Sequence, residues 1–336
     1  MNPKYASLLA LILLLAQAAY AQSLRTWKDP SPHTISFAKI DSLQLQYLDW
    51  GGTGDVLLFL PGLGQSAHIF DGLAPHFTNS CHVMALTRRG QGKSSRPESG
   101  YDTATLVQDI KAFIDSKGIE SVILAGHSMA GNELTEFARR YPSRVKKVIY
   151  IEAAYDYGKM PTDDPIKIEQ PSPSEMASID AGMHWFERVF GFSSPAIEAD
   201  ARDVNVKPDG TITMESGPSE IVAQLWKGMI SYSPSYESIR APILAFYAVS
   251  ESHPFLKSTS SAADQEKGNT FWRTKFVPYQ RQSMDELLRS RAPVHIVILR
   301  NTKHLCFIEK RDEAQVIEAI QNFLRSGQET PKLTDF

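Results

Sequence analysis

The hexapeptide Gly126-His127-Ser128-Met129-Ala130-Gly131 places one serine among small residues, directly after the apolar run 121–125 and directly before a segment of helical pattern. A sharp strand-to-helix bend needs small neighbours, because it pushes the serine side chain outward while backbone closes in at Gly126 and Gly131. Such a turn presents Ser128 as a nucleophile toward a carbonyl carbon. The same turn aims the Met129 amide, at a helix N-terminus, toward the place where an oxyanion forms. A serine hydroxyl attacks only when a base takes its proton, and the chain has nine histidines. Position selects His304, which follows the last apolar run (His295 to Leu299) through Arg300-Asn301-Thr302-Lys303 and precedes an amphipathic segment, Asp312 to Leu324. His295 lies inside a strand pattern, His127 belongs to the bend, and His33, His76, His82 and His184 occupy no comparable loop.

Elements that could hold these residues follow from period and breakers. Strands are predicted at 34–40, 43–49, 56–60, 82–87, 121–125, 146–151, 243–248 and 294–299, the first two joined by a tight Asp41-Ser42 turn. Amphipathic stretches such as 103–117 and 132–141 fall between them, so the class is α/β, an eight-stranded, mostly parallel sheet with helices on both faces. The alternation stops between about 155 and 240. There Pro161, Pro165, Pro171 and Pro173 interrupt a polar stretch that then gives way to aromatic and Met residues. This segment reads as an insertion over the carboxyl edge of the sheet, with Met160, Met176, Met183, Trp185, Phe186, Phe190, Trp226 and Met229 as its apolar content. Aromatic and Met residues at helical spacing also serve a small core of their own, so pocket lining and core are both open for them.

Composition narrows the class further. With hydrophobic residues at 42%, 20 Gly, 20 Pro and two Cys in 336 residues, collagen, coiled coil and a disulfide-dense miniprotein are excluded. Residues 1–21 read as an export signal: Lys4, the apolar run Ala6 to Ala16, then Ala19-Tyr20-Ala21 before a cleavage point. The run is about half the ~20 residues a membrane span needs, so no stable anchor is expected after cleavage, and the location is secreted or periplasmic. Removing Lys4 with the leader leaves 34 basic and 38 acidic side chains, a balance that gives no electrostatic case for nucleic acid. Cys81 and Cys306 fall in different elements and are expected to be free and buried. The organisation is therefore 1–21 leader, 22–154 first part of the core, 155–240 insertion and 241–336 second part of the core.

Four motifs in order give a resemblance to the α/β-hydrolase superfamily, in its lid-bearing serine hydrolase branch, over about residues 34–326. Pro61-Gly62-Leu63-Gly64-Gln65-Ser66 is similar to its oxyanion loop, and Arg89-Gly90-Gln91-Gly92-Lys93-Ser94 to its R-G-x-G-x-S loop; the bend at Ser128 and the terminal His304 complete the set. The resemblance implies a Ser-acid-His triad, a lid formed by the insertion, and Leu63 N–H as the second oxyanion donor beside Met129. It departs from the family at Pro61, where a histidine usually braces the loop. The acid usually follows the seventh strand, which indicates Glu251; Glu152, just past the sixth strand, and Asp156 are the alternatives. A carboxylate there fixes the His304 tautomer and offsets its developing charge.

Other readings compete for the same residues. Gly62-x-Gly64-x-x-Ala67 after a strand matches a dinucleotide fingerprint, with Arg88-Arg89 as a grip for a 2′-phosphate, which would make the protein an NADP-dependent reductase. That leaves Ser128 and His304 without a role. Gly92-Lys93-Ser94 ends like a P-loop, but Thr87 stands where the first glycine belongs. No H-E-x-x-H, C-x-x-C or comparable cluster is present in the sequence, so neither a cofactor nor a metal is expected. A non-catalytic ligand binder on the same scaffold is a third class. The expected function is that of a serine esterase acting on an uncharged small-molecule ester or related carbonyl bond, the expected partner being that small-molecule substrate.

Overall fold

The computed structural model describes residues 27–205, 219–257 and 259–325; the leader reading of 1–21 lies outside them. Eight strands form one sheet in the order β1-β2-β4-β3-β5-β6-β7-β8. They are β1 (Thr34–Ile40), β2 (Leu43–Gly51), β3 (Asp55–Leu60), β4 (Cys81–Leu86), β5 (Val122–His127), β6 (Val145–Ile151), β7 (Ile243–Val249) and β8 (Val294–Arg300). All neighbours from β4 through β8 pair in parallel, while β2 runs against both β1 and β4. Each predicted strand is present, shifted by one or two residues at most. The β1–β2 turn places Asp41 at φ 52°, a left-handed conformation that Asp tolerates.

Parallel strands are buried on both faces, and the residues alternate accordingly. In β3, Leu58 and Leu60 join the core under helices α1 (Thr103–Ser116) and α2 (Ala130–Arg140). Leu57 and Phe59 join the opposite core, with residues 67–77 and the last helix. Asp102 caps α1, accepting the Thr105 N–H at 3.0 Å. Cys81 and Cys306 are both buried and unbridged.

Between β6 and β7 the chain forms α3 (Ile179–Phe190), α4 (Pro195–Asn205) and α5 (Ser219–Ile230). Serine and glycine punctuate α3: Ser178 accepts the Ala181 N–H, and Gly191, at φ 86°, ends the helix in the left-handed region. Helix α4 docks on the 3-10 turn Ala67–Phe70 through Asp200, whose Oδ1 accepts the Ser66 N–H at 2.6 Å and the Ser66 hydroxyl at 2.8 Å. A second helical stretch, which the sequence pattern does not announce, separates β7 from β8. It comprises α6 (Ala262–Phe271), one wide π turn (Trp272–Phe276) and α7 (Val277–Leu287). Its first helix, Ala-Ala-Asp-Gln-Glu-Lys-Gly-Asn-Thr-Phe, has no apolar stripe to reveal it. The final helix, α8 (Lys310–Arg325), covers the second core with Val316, Ile320 and Phe323. Among the described residues no helix is long and apolar enough to cross a membrane.

Candidate active site

Ser128 sits between β5 and α2 with φ 55°, a left-handed backbone that a non-glycine residue adopts only under constraint. The constraint is steric. A Cβ on Gly131 would overlap the Ala153 carbonyl oxygen, and one on Gly126 would press on Ala130 and Leu134, so α2 closes on the sheet only with glycine at both positions. The Ser128 N–H donates to Ile151 O at 3.3 Å, which ties the bend to the end of β6.

Strand register decides the carboxylate. β5 and β6 align His127 with Ile151, so the residues that follow, Ser128 and Glu152, leave adjacent strands side by side. Glu152 is also in the left-handed region, at φ 50°, and is 5% exposed. Its Oε2 accepts His304 Nδ1–H at 3.0 Å; its Oε1 accepts the Tyr155 hydroxyl at 2.6 Å and the Ala248 N–H at 2.7 Å. Because a carboxylate only accepts, the proton on His304 belongs on Nδ1, and Nε2 is left as the acceptor. Glu251 as the orienting acid is thereby corrected. It lies exposed on the loop after β7 and makes no hydrogen bond to His304, whereas the β7 amide of Ala248 serves Glu152. Asp156, the other alternative, caps the short turn Tyr157–Lys159 instead.

His304 leaves β8 through residues 301–303, as the sequence placed it, and its ring packs against buried His127 at 4.5 Å between centroids. His127 Nε2 donates to the His304 carbonyl at 3.1 Å, and full burial drives the His127 imidazole well below its usual pKa, keeping it neutral. Ser128 and His304 line one cavity without a direct hydrogen bond between them, a spacing common in free enzymes.

Two backbone amides, Leu63 N–H and Met129 N–H, are left without a hydrogen-bond acceptor among the described residues. The loop that carries Leu63 lacks the expected histidine, and a residue the sequence analysis assigned elsewhere braces it. Arg88, buried at the end of β4, donates from Nη2 to Pro61 O at 2.8 Å and from Nη1 to Gly62 O at 3.2 Å, while its Nε pairs with Glu133 of α2 at 2.6 Å. One guanidinium thus couples the Pro61–Ser66 loop to the helix that starts behind Ser128. Arg89 is paired bidentately with Asp109 at 2.6 Å for both bonds. With both guanidiniums committed to carboxylates, and a 3-10 turn rather than an α-helix after Gly64, the dinucleotide reading has no phosphate grip.

The cavity over Ser128 has a volume of about 940 Å³. From the insertion, Met160, Phe190, Trp226 and Met229 line it, joined by Phe192; Met176, Met183, Trp185 and Phe186 do not. The β7–β8 stretch contributes Phe255, Trp272, Phe276 and Tyr279, which the sequence reading left unassigned. Tyr157 lines it too: its hydroxyl is fully buried beside Ser128, makes no well-aligned hydrogen bond, and is held protonated by burial. The run Glu152-Ala153-Ala154-Tyr155-Asp156-Tyr157, directly past a strand, is the local signal that could have drawn attention to both Glu152 and Tyr157.

Comparison with known proteins agrees with the fold. The family model described as "alpha/beta hydrolase fold" matches residues 55–186. The chain is 26% identical over 205 residues to 2-(acetamidomethylene)succinate hydrolase of Mesorhizobium japonicum, covering 57% of this chain and 70% of that protein. It is 32% identical over 116 residues to a non-heme chloroperoxidase of Streptomyces lividans, but spans only 42% of that protein's length. Among solved structures, E-2-(acetamidomethylene)succinate hydrolase superposes with a TM-score of 0.61 at 20% identity, covering 88% of this chain and 100% of that one. A carboxylesterase from Bacillus subtilis gives 0.55 at 18% identity, over 94% and 98%. These structural likenesses are likenesses of fold. Sheet order, the bend at Ser128 and the family match over residues 55–186 together give the chain the α/β-hydrolase fold.

Proposed function

We propose that the protein is a serine hydrolase that cleaves an uncharged small-molecule ester through an acyl-enzyme. The observation that carries this reading is the convergence of Ser128, His304 and Leu63 on one cavity, with Glu152 behind the imidazole and the Met129 amide, next to Ser128 in the chain, left without an acceptor among the described residues. In the proposed reaction His304 Nε2 takes the Ser128 proton as Oγ bonds to the substrate carbonyl carbon. The carbonyl oxygen becomes an oxyanion between Leu63 N–H and Met129 N–H, and the Glu152 carboxylate offsets the imidazolium charge. Collapse breaks the ester C–O bond, His304 returns the proton to the leaving alcohol, and water repeats the sequence to release the acid. An apolar lining of Leu63, Met160, Phe190, Trp226, Met229 and Trp272 favours a substrate without charge at its acyl end. In this reading the insertion acts as the lid, and the protein is exported with cleavage after Ala21. N-terminal sequencing of the mature chain tests that last point.

A fluorophosphonate probe and a p-nitrophenyl ester assay test the chemistry. Wild type should be labelled at Ser128 and hydrolyse short esters. Ser128→Ala should remain folded, take no label, and lose several orders of magnitude in kcat. A folded Ser128→Ala protein that hydrolyses esters near the wild-type rate overturns the proposal.

A further inference from the structure

No metal motif is legible in the sequence, yet four separated residues meet in space. Asp29 and His33 precede β1, while His68 and Asp71 belong to the 3-10 turn after the oxyanion loop and to its end. We infer that Asp29, His33, His68 and Asp71 form a binding site for one divalent transition-metal cation of the zinc type.

Geometry comes first. His33 Nε2 lies 3.2 Å from Asp29 Oδ2 and 3.2 Å from Asp71 Oδ1; His68 Nδ1 lies 3.1 Å from Asp29 Oδ2 and 2.8 Å from Asp71 Oδ2. All the donor atoms fall within 4.8 Å of one another. Four tetrahedral donors held about 2.1 Å from one ion lie about 3.4 Å apart, so one cation touches all four with small adjustments. Hydrogen bonds alone serve this arrangement poorly. Each facing nitrogen carries at most one hydrogen, which leaves two N–H groups for four nitrogen–oxygen approaches. The mismatch is visible at Asp71, whose side chain is 4% exposed and whose Oδ1 points into the cluster without a hydrogen bond.

Charge points the same way. Two carboxylates with two neutral imidazoles carry two negative charges in a nearly closed space, and Asp203, on α4, adds to the negative field on His68. Two imidazole nitrogens beside two carboxylate oxygens suit zinc and its neighbours rather than magnesium or calcium. The ligands are also braced from behind. Ser31 N–H donates to Asp29 Oδ1 at 2.8 Å, the Ser31 hydroxyl donates to Asp71 O at 3.0 Å, and Trp50 Nε1–H donates to that hydroxyl at 2.8 Å.

None of the four lines the cavity over Ser128. The ion would act as a clamp, fastening the segment before β1 to the turn that follows the oxyanion loop. Its loss should therefore lower stability more than it alters the serine chemistry.

The full chain, stripped with a chelator and dialysed, should take up one Zn²⁺ per molecule, and its melting temperature should climb with free Zn²⁺ but not with Mg²⁺ or Ca²⁺. Co²⁺ in its place should give visible d–d bands without a thiolate charge-transfer band. His68→Gln should lose Zn²⁺ affinity at least 100-fold and abolish the thermal shift while still labelling with the serine probe. Should that variant misfold, Asp29→Asn, nearer the surface, should weaken affinity at least tenfold. A wild-type chain that binds no Zn²⁺, or binds it as tightly in both variants, overturns the inference and leaves the cluster as a set of packed polar side chains.

Discussion

Glu152 and His304 form the hydrogen-bonded pair on which the proposed reaction depends. Glu152→Gln keeps the Tyr155 and Ala248 hydrogen bonds available at the amide oxygen but removes the charge facing Nδ1, so kcat for an ester should fall by roughly 10²–10⁴ with little change in melting temperature. Glu251→Gln, at an exposed position, should change kcat less than about twofold. Steady-state kinetics on the two variants checks the ranking, and the reverse order would return the role to Glu251. Arg88 gives a second test. Its side chain and that of Glu133 are 4% and 3% exposed, so Arg88→Met leaves a buried carboxylate alone and the Pro61 and Gly62 carbonyls without their donor. A loss of about 3–5 kcal/mol is expected by denaturant unfolding, and adding Glu133→Leu should recover part of it, because the larger part of that cost is the orphaned charge.

At the scale of elements, the close approach of α2 to the strand ends sets the site. Gly131→Ala sets a methyl group against the Ala153 carbonyl, one residue from Glu152, so soluble folded protein should be strongly reduced and any that folds should be inactive. Circular dichroism and probe labelling check both. The docking of α4 gives a pH-dependent outcome. Asp200 is fully buried and its carboxyl is pushed up to about 7, chiefly by that burial. A raised carboxyl binds its proton more tightly when folded, so its stabilising effect is complete below about 4, where the unfolded chain is protonated too, and is lost as pH rises through about 7. Asp200→Asn keeps an acceptor for Ser66 and cannot ionise. Relative to wild type it should gain stability between pH 5 and pH 8 in thermal melts, and a constant difference across that range would contradict the assignment.

Across the whole molecule, the cavity is assembled from the oxyanion loop, the insertion and the β7–β8 stretch, so substrate size reads out their joint arrangement. Each methylene buried there contributes about 0.8 kcal/mol, roughly fourfold in kcat/KM. An ester series from acetyl upward should rise at about that rate and then fall sharply once the space of about 940 Å³ is filled. A flat profile would indicate an open groove in place of a closed acyl pocket.

The strands, the bend at Ser128 and the choice of His304 were all legible in sequence because each rests on local rules: period-two burial, glycine where backbone crowds, and a loop between a strand and a helix. Glu152 stood in the sequence only as an alternative to Glu251, because its selection depends on which residues of β5 and β6 lie abreast, and on a side chain that reaches from β6 to a histidine after β8. Arg88 was read as a phosphate grip while its partners, Pro61, Gly62 and Glu133, come from a loop and a helix that only folding brings beside β4. The polar α6, without an apolar stripe, carried no periodic signal, although the stretch it opens supplies a wall of the cavity. Asp29, His33, His68 and Asp71 lie across a 43-residue span with no ligand spacing to connect them, and their convergence belongs to the packing of the segment before β1 against the turn at 67–70. Sequence determined what is set within one element and its flanking turns; tertiary structure decided every contact made between elements, because those depend on register and packing distance.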